Sequence, residues 1–236
     1  MQEPEIAQPS FVLSLQAAHE AGDSLLGAAA LAHMAFAPAF SGDQARAEEA
    51  RDRIRAARAF ARRGQAPPVV FAWLAAVEAE VETRFGNTRH ALSLIYQAEQ
   101  LLENDDTDDL APAWFDWFSR TRLAGFKGNT LVAAGQTREA RSTLEQVLRD
   151  LPDRDAKQRS IILADLAAAA VSEKAPERAC ELLVDVLREV STQWYATAID
   201  RIKAVRQSLQ AYESLPAVRN LDEKLYDWHT TVNSFS

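Results

Sequence analysis

The sequence is poor in the residues from which reactive sites are usually built. It has one cysteine and four histidines in 236 residues. A lone Cys180 permits no internal disulfide and fits a reducing cytoplasm, which is where the chain is expected to act. His19, His33, His90 and His229 are scattered without ligand spacing. No nucleophile elbow, zinc-protease helix motif or phosphate-cradling glycine loop occurs. No catalytic residue, metal or cofactor is therefore expected, and the chain reads as a non-enzyme. Positive charge is also short: 26 Lys and Arg stand against 34 Asp and Glu, for a net charge of −8. That balance repels phosphates, so direct nucleic-acid binding by this chain is not expected. Long apolar runs are missing too. The most apolar stretch, residues 28 to 40, is interrupted by His33 and Pro38 and falls short of the roughly 20 residues a membrane span requires. The first residues, MetGlnGluProGlu, have neither a basic segment nor an apolar one behind it, so no signal peptide is expected.

What the chain does have is helical periodicity, organised around residues 114 to 152. Gly135 follows the run Leu131, Val132, Ala133, Ala134 and suits the left-handed position past a helix end. Thr137 is expected to cap the next helix through its hydroxyl. Ala140, Leu144, Val147 and Leu148 then form an amphipathic stripe, which Pro152 stops. Upstream, Ser119 is expected to cap a helix carrying Leu123, Phe126 and Leu131. Gly128 sits inside that helix, where glycine costs about 1 kcal/mol relative to alanine, so a close packing contact is expected there.

The arrangement recurs. Gly42, Gly86 and Gly135 each lie five residues before an alanine, Ala47, Ala91 and Ala140, and Lys174 keeps that spacing to Ala179. Twelve residues before those alanines stand Ala35, Ala79, Gly128 and Ala167. This pattern resembles the tetratricopeptide repeat, a 34-residue helix pair with small residues at its eighth and twentieth positions. The reference alanines are 44, 49 and 39 residues apart. The excess over the repeat length falls in polar or Pro/Gly-bearing stretches: residues 63 to 68, the acidic connector from 103 to 118, and 153 to 157. The family's first-helix Trp and Tyr are not kept, so these are degenerate copies. The resemblance implies an all-α fold, an α-solenoid of degenerate tetratricopeptide-like helix pairs wound as a right-handed superhelix. Residues 1 to 9 are expected to be disordered and 10 to 236 to form a single repeat domain. Its repeats are expected near 24–63, 68–103, 119–152, 154–190 and 192–230.

Several local features have competing explanations. Arg51, Arg55, Arg58 and Arg62 recur at helical spacing as a basic stripe, read as a solvated face balanced by Glu48, Glu49 and Asp52. The carboxylates of 103 to 109 lack the glycine and glutamate of a calcium loop and read as a solvated connector. Trp114, Trp117 and Phe118 read as an aromatic knot filling the seam between the second and third repeats. Gly125-Phe126-Lys127-Gly128 has the letters of a nucleic-acid-binding loop but sits within a helix pattern. Cys180 lies on the inward stripe of Ala179, Leu183, Val186 and Val190 and reads as a small core residue.

The repeat resemblance implies a concave face lined by the leading helix of each pair. The positions that point there are His33, Phe36, Phe40, Trp73, Glu80, Arg84, Arg122, Phe126, Asn129 and Asp165. Asn129 is singled out because its amide both donates and accepts, matching a peptide unit; bonding to a neighbouring helix is the competing role. Arg122 is placed to hold a carboxylate. Residues 123 to 131, 157 to 167 and 223 to 228 also resemble the C-terminal repeat regions of actinobacterial helix-turn-helix transcriptional regulators. In those regulators a DNA-binding domain precedes the repeats, whereas only ten residues precede the first expected helix here. The resemblance implies either a protein without its own reader head or the sensor part of a larger regulator. The functional expectation is a groove that recognises a peptide, small ligand or protein partner. The alternative is a self-associating scaffold or homodimer joined through Trp194, Tyr195, Tyr226 and Trp228.

Overall fold

In the computed structural model the described residues are 4–103, 111–152 and 154–234, with side chains described from residue 8 to residue 231 of that set. Residues 1–3, the acidic run 104–109 and Asp153, expected as irregular material, lie outside them. Every regular element among the described residues is helical. The chain divides into two compact units, Met1–Ala134 and Gly135–Ser236. A single repeat domain was expected; the division falls at the Gly135 turn of the third expected pair, and each unit is described by itself.

The first unit contains α1 (Pro4–Glu20), α2 (Ser24–Met34), α3 (Phe36–Phe40), α4 (Ala47–Arg63), α5 (Pro68–Arg84), α6 (Thr88–Glu103) and α7 (Arg120–Ala133). Helix α1 starts at Pro4, so much of the segment expected to be disordered is helical. Proline is tolerated in a first turn because its missing N–H would have no partner there. Asp23 caps α2, its carboxylate accepting from the Leu26 amide at 2.9 Å, and Ser119 caps α7 through the Arg122 amide at 3.3 Å.

Between α2 and α3 the helix breaks at Ala35. Pro38 has no N–H to give the Met34 carbonyl four residues back. The guanidinium of Arg53 on α4 donates to that carbonyl instead, while its other arm reaches Glu49 at 2.5 Å. A proline defect is thereby converted into a tie between α2 and α4.

Each helix of the unit packs on its successor, and in addition α1 packs on α3, α2 on α4, α3 on α5 and α5 on α7. Small residues make this close approach possible. Ala35, Ala79 and Ala91 are fully buried, and Gly128 is buried within α7. The core they share runs from Ala28 through Ile54, Trp73, Leu74 and Ile95 to Leu123. Burying such side chains contributes roughly 1.5–3 kcal/mol each.

The second unit contains α8 (Thr137–Asp150), α9 (Ala156–Ser172), α10 (Pro176–Thr192), α11 (Ala196–Ser208) and α12 (Pro216–Ser234). Helix α9 packs on α8, α10 and α11, and α10 packs on α12. Its core centres on Leu144, Ile162, Ala167, Ala179, Leu183, Leu209 and Leu221, all within 1% of complete burial. Thr137 is not a cap: Gln136 holds that position without a side-chain bond, and the Thr137 hydroxyl donates to the Gly135 carbonyl at 3.4 Å. Cys180 is buried, and desolvation raises its thiol pKa, so it stays protonated in the core.

The turns share one conformation. Gly42, Gly86 and Gly135 have φ of 73°, 81° and 74°, and Lys174 adopts φ 59° at the equivalent place without being glycine. A side chain in that region costs roughly 1–2 kcal/mol, so the backbone geometry is imposed by the flanking helices.

Candidate functional site

Six of the expected site residues are joined in one chain of contacts in the first unit. On α2, the His33 ring lies 6.2 Å from that of Phe36, and Phe36 meets Phe40 edge to face at 5.8 Å. The guanidinium of Arg84, on α5, stacks over the Phe40 ring at 3.4 Å. Its Nε donates to Glu80 Oε1 at 3.1 Å, and Asn129 on α7 donates from Nδ2 to Glu80 Oε2 at 2.7 Å. Four elements, α2, α3, α5 and α7, thus contribute to one band.

Glu80 is only 3% exposed. A buried carboxylate is costly unless paired and hydrogen-bonded, and Arg84 and Asn129 meet that requirement. Asn129 therefore takes the neighbouring-helix role that competed with peptide recognition. Deeper in the same seam the Thr130 hydroxyl donates to the Phe126 carbonyl at 3.0 Å. With its only proton so placed, Thr130 accepts from the Thr83 hydroxyl at 3.3 Å.

The band's aromatic end continues beyond the expected set. His33 stacks on Phe11 of α1 with an interplanar angle of 8° and sits 5.6 Å from Trp73. Burial lowers the His33 pKa, favouring the neutral ring. His33, Phe36, Phe40, Arg84, Arg122, Phe126 and Asn129 are half-buried, so the band is open to solvent along much of its length. Phe126 packs on the unit's core. Asp165 belongs to α9 in the second unit, where it forms a buried ion pair with Arg201 of α11.

Two other expectations change in detail. The arginine stripe is not simply a solvated face with local partners. Arg51 grips Glu82 on α5 through two bonds of 2.7 and 3.0 Å, and Arg58 holds Glu78 with bonds of 2.9 and 2.6 Å. Only Arg55 keeps to the local partners, Glu48 and Asp52. Burial pushes the Glu82 carboxyl up, but hydrogen bonds from Arg51 and Asn87 outweigh it and hold the pKa below the usual range. In the aromatic knot, the buried members are Phe115 and Phe118, while Trp114 and Trp117 remain 42% and 37% exposed.

A cleft of ≈330 Å³ in the second unit was not anticipated. Ile202, Lys203, Arg206, Gln207 and Leu225 line it, and Arg206 is held by Asp222 with bonds of 2.5 and 2.7 Å. Its residues come from two helices of weak periodicity, which no spacing rule connects. Among the described residues no group of three or more His, Cys, Asp or Glu could hold a metal ion, and no helix is long and apolar enough to cross a membrane. No protein-family model matches the chain, and no curated protein matches it.

Proposed function

We propose that this chain is a non-enzymatic cytoplasmic binding module of a transcriptional or developmental regulator. It recognises a peptide, small ligand or protein partner along the band of His33, Phe36, Phe40, Arg84, Arg122 and Phe126. The carrying observation is the continuity of that band from His33 through Phe36 and Phe40 to Arg84: partly exposed rings and a stacked guanidinium, fixed by the buried Glu80. Surfaces already held in place bind at a smaller entropic cost. The proposed scaffold is a right-handed solenoid of degenerate tetratricopeptide-like pairs. Supporting it are the left-handed residue five positions before each of Ala47, Ala91, Ala140 and Ala179, and, within the first unit, the packing of each helix on its successor.

Asn129 is a poor target for a test, because removing it takes a donor from a buried carboxylate. Phe36→Ala and Arg122→Ala are better. Each variant is used to capture partners from the native cytoplasm, alongside Tyr226→Ala, which changes a residue 72% exposed on α12. A partner retained by the wild type and Tyr226→Ala, and lost by the other two with unchanged helicity, supports the band. Equal capture by all of them removes it.

The self-associating scaffold keeps less of its surface. Tyr195 is half-buried with the Lys157 ammonium 5.8 Å from its ring centroid, and Trp228 is half-buried. A dimer in light scattering that Tyr226→Ala dissociates would favour that second reading.

A further inference from the structure

The loop before α7 presents an unusual surface. A 3-10 turn, Ala113–Phe115, and the residues after it carry two partly exposed indoles, Trp114 and Trp117, and between them in sequence an exposed carboxylate, Asp116. Neither indole is loose. Trp114 meets the buried Phe115 at 5.7 Å and 89°. Trp117 meets Trp73 at 5.8 Å and 86°, and Phe118 at 5.9 Å and 79°. Such perpendicular contacts anchor each ring by its neighbours while 42% of Trp114 and 37% of Trp117 stay in solvent. Asp116 is exposed and has no partner among the described residues. The nearest basic side chain in sequence, Arg120, donates to the Leu102 carbonyl at 2.7 Å. The first unit as a whole carries 12 Lys and Arg against 18 Asp and Glu, a net charge of −6.

We propose that the Trp114–Asp116–Trp117 surface docks a cationic peptide segment, with an arginine or lysine side chain laid on the indole faces and Asp116 as its counter-charge. Tryptophan offers the strongest ring face to a cation. A guanidinium also stacks flat on an aromatic plane, which makes arginine the better fit. The negative field of the unit favours the approach of such a segment. This names the chemistry of the partner proposed above and rests on that reading only in taking the partner to be a polypeptide.

The test is fluorescence anisotropy of a labelled peptide of alternating arginine and glycine, titrated with the full chain. The comparison peptides alternate glutamate with glycine and proline with glycine. The arginine peptide is expected to bind, and to be released near 1 M salt, where the screening length falls to about 3 Å. Trp114→Leu, which keeps apolar bulk without the indole face, should weaken it about two- to fivefold. Asp116→Asn, nearly isosteric, should weaken it by a similar factor, and Phe36→Ala should leave it unchanged. No binding of the arginine peptide, equal binding of the proline peptide, or indifference to both loop variants overturns the proposal. Weakening by Phe36→Ala alone would place the cation on the band, overturning this inference while leaving the recognition band in force.

Discussion

The two units treat charge between their helices differently. In the first, charge is spread over several joints: Arg51–Glu82 and Arg58–Glu78 tie α4 to α5, and Asn129 and Arg84 share Glu80. Each arginine there keeps 19–29% of its side chain in solvent; Glu80 and Glu82 are 3% and 4% exposed, while Arg58–Glu78 has both partners partly in water, at 19% and 22%. In the second, Arg206–Asp222 ties α11 to α12 half in water, but the pair between α9 and α11, Asp165–Arg201, is buried, with side chains 5% and 11% exposed. A joint half in water loses little when one partner goes, because water replaces it; a buried one leaves a charge without an escape. The lesson is that the number of ion pairs is a poor guide to where a helical array is vulnerable.

The largest expected effect comes from that difference. Arg201→Ala should cost roughly 3–5 kcal/mol, read by hydrogen exchange over residues 135 to 234. Arg58→Ala should cost about 1–2 kcal/mol over residues 4 to 134. Equal costs would break the comparison. Next in size is overpacking. Ala91→Leu and Ala179→Leu place a larger side chain at fully buried positions, one in each unit, and each should cost about 1–3 kcal/mol in chemical denaturation. If only one unit suffers, the close-packing register is not shared.

A smaller effect has opposite signs in the two units. Gly86→Ala forces a side chain into a left-handed turn and should cost about 1 kcal/mol. Lys174→Gly relieves that strain and should raise stability by about 0.5–1 kcal/mol. A Lys174→Gly variant that is less stable than the parent would show that the lysine stem makes contacts worth more than the strain.

The last effect is a slope with pH rather than an offset. Burial lowers the folded His33 pKa, so the unfolded chain takes up the proton first. Stability of the first unit should fall as pH drops below the unfolded histidine value of about 6.5, and level off once the folded ring also protonates. His33→Phe should remove that decline in denaturation series between pH 7.5 and 5.5. A slope that survives the substitution belongs to another group.

Much of the fold was legible because it depends on local rules. Gly42, Gly86 and Gly135 sit at left-handed positions past helix ends, and Lys174, which keeps their spacing, adopts the same conformation. The alanines counted from those turns are the buried ones. What spacing cannot supply is the partner of a long side chain. Arg51 and Arg58 share a helix face in the sequence, but nothing in it says that Glu82 and Glu78 lie opposite. Asn129 and Glu80 are 49 residues apart, and their bond exists only because α7 lies beside α5. The aromatic knot shows the same limit: the letters identified the cluster, and packing decided that the phenylalanines go inside and the indoles stay out.

The tie between Pro38 and Arg53 links the fates of two positions. A residue with an N–H at 38 would let the helix carry on through Ala35 and satisfy the Met34 carbonyl itself, and position 53 would then be free to drift. While proline remains, losing the guanidinium exposes a backbone oxygen that no neighbour along the helix can reach. Changes at the two sites should therefore be tolerated in one order only, proline first and arginine second.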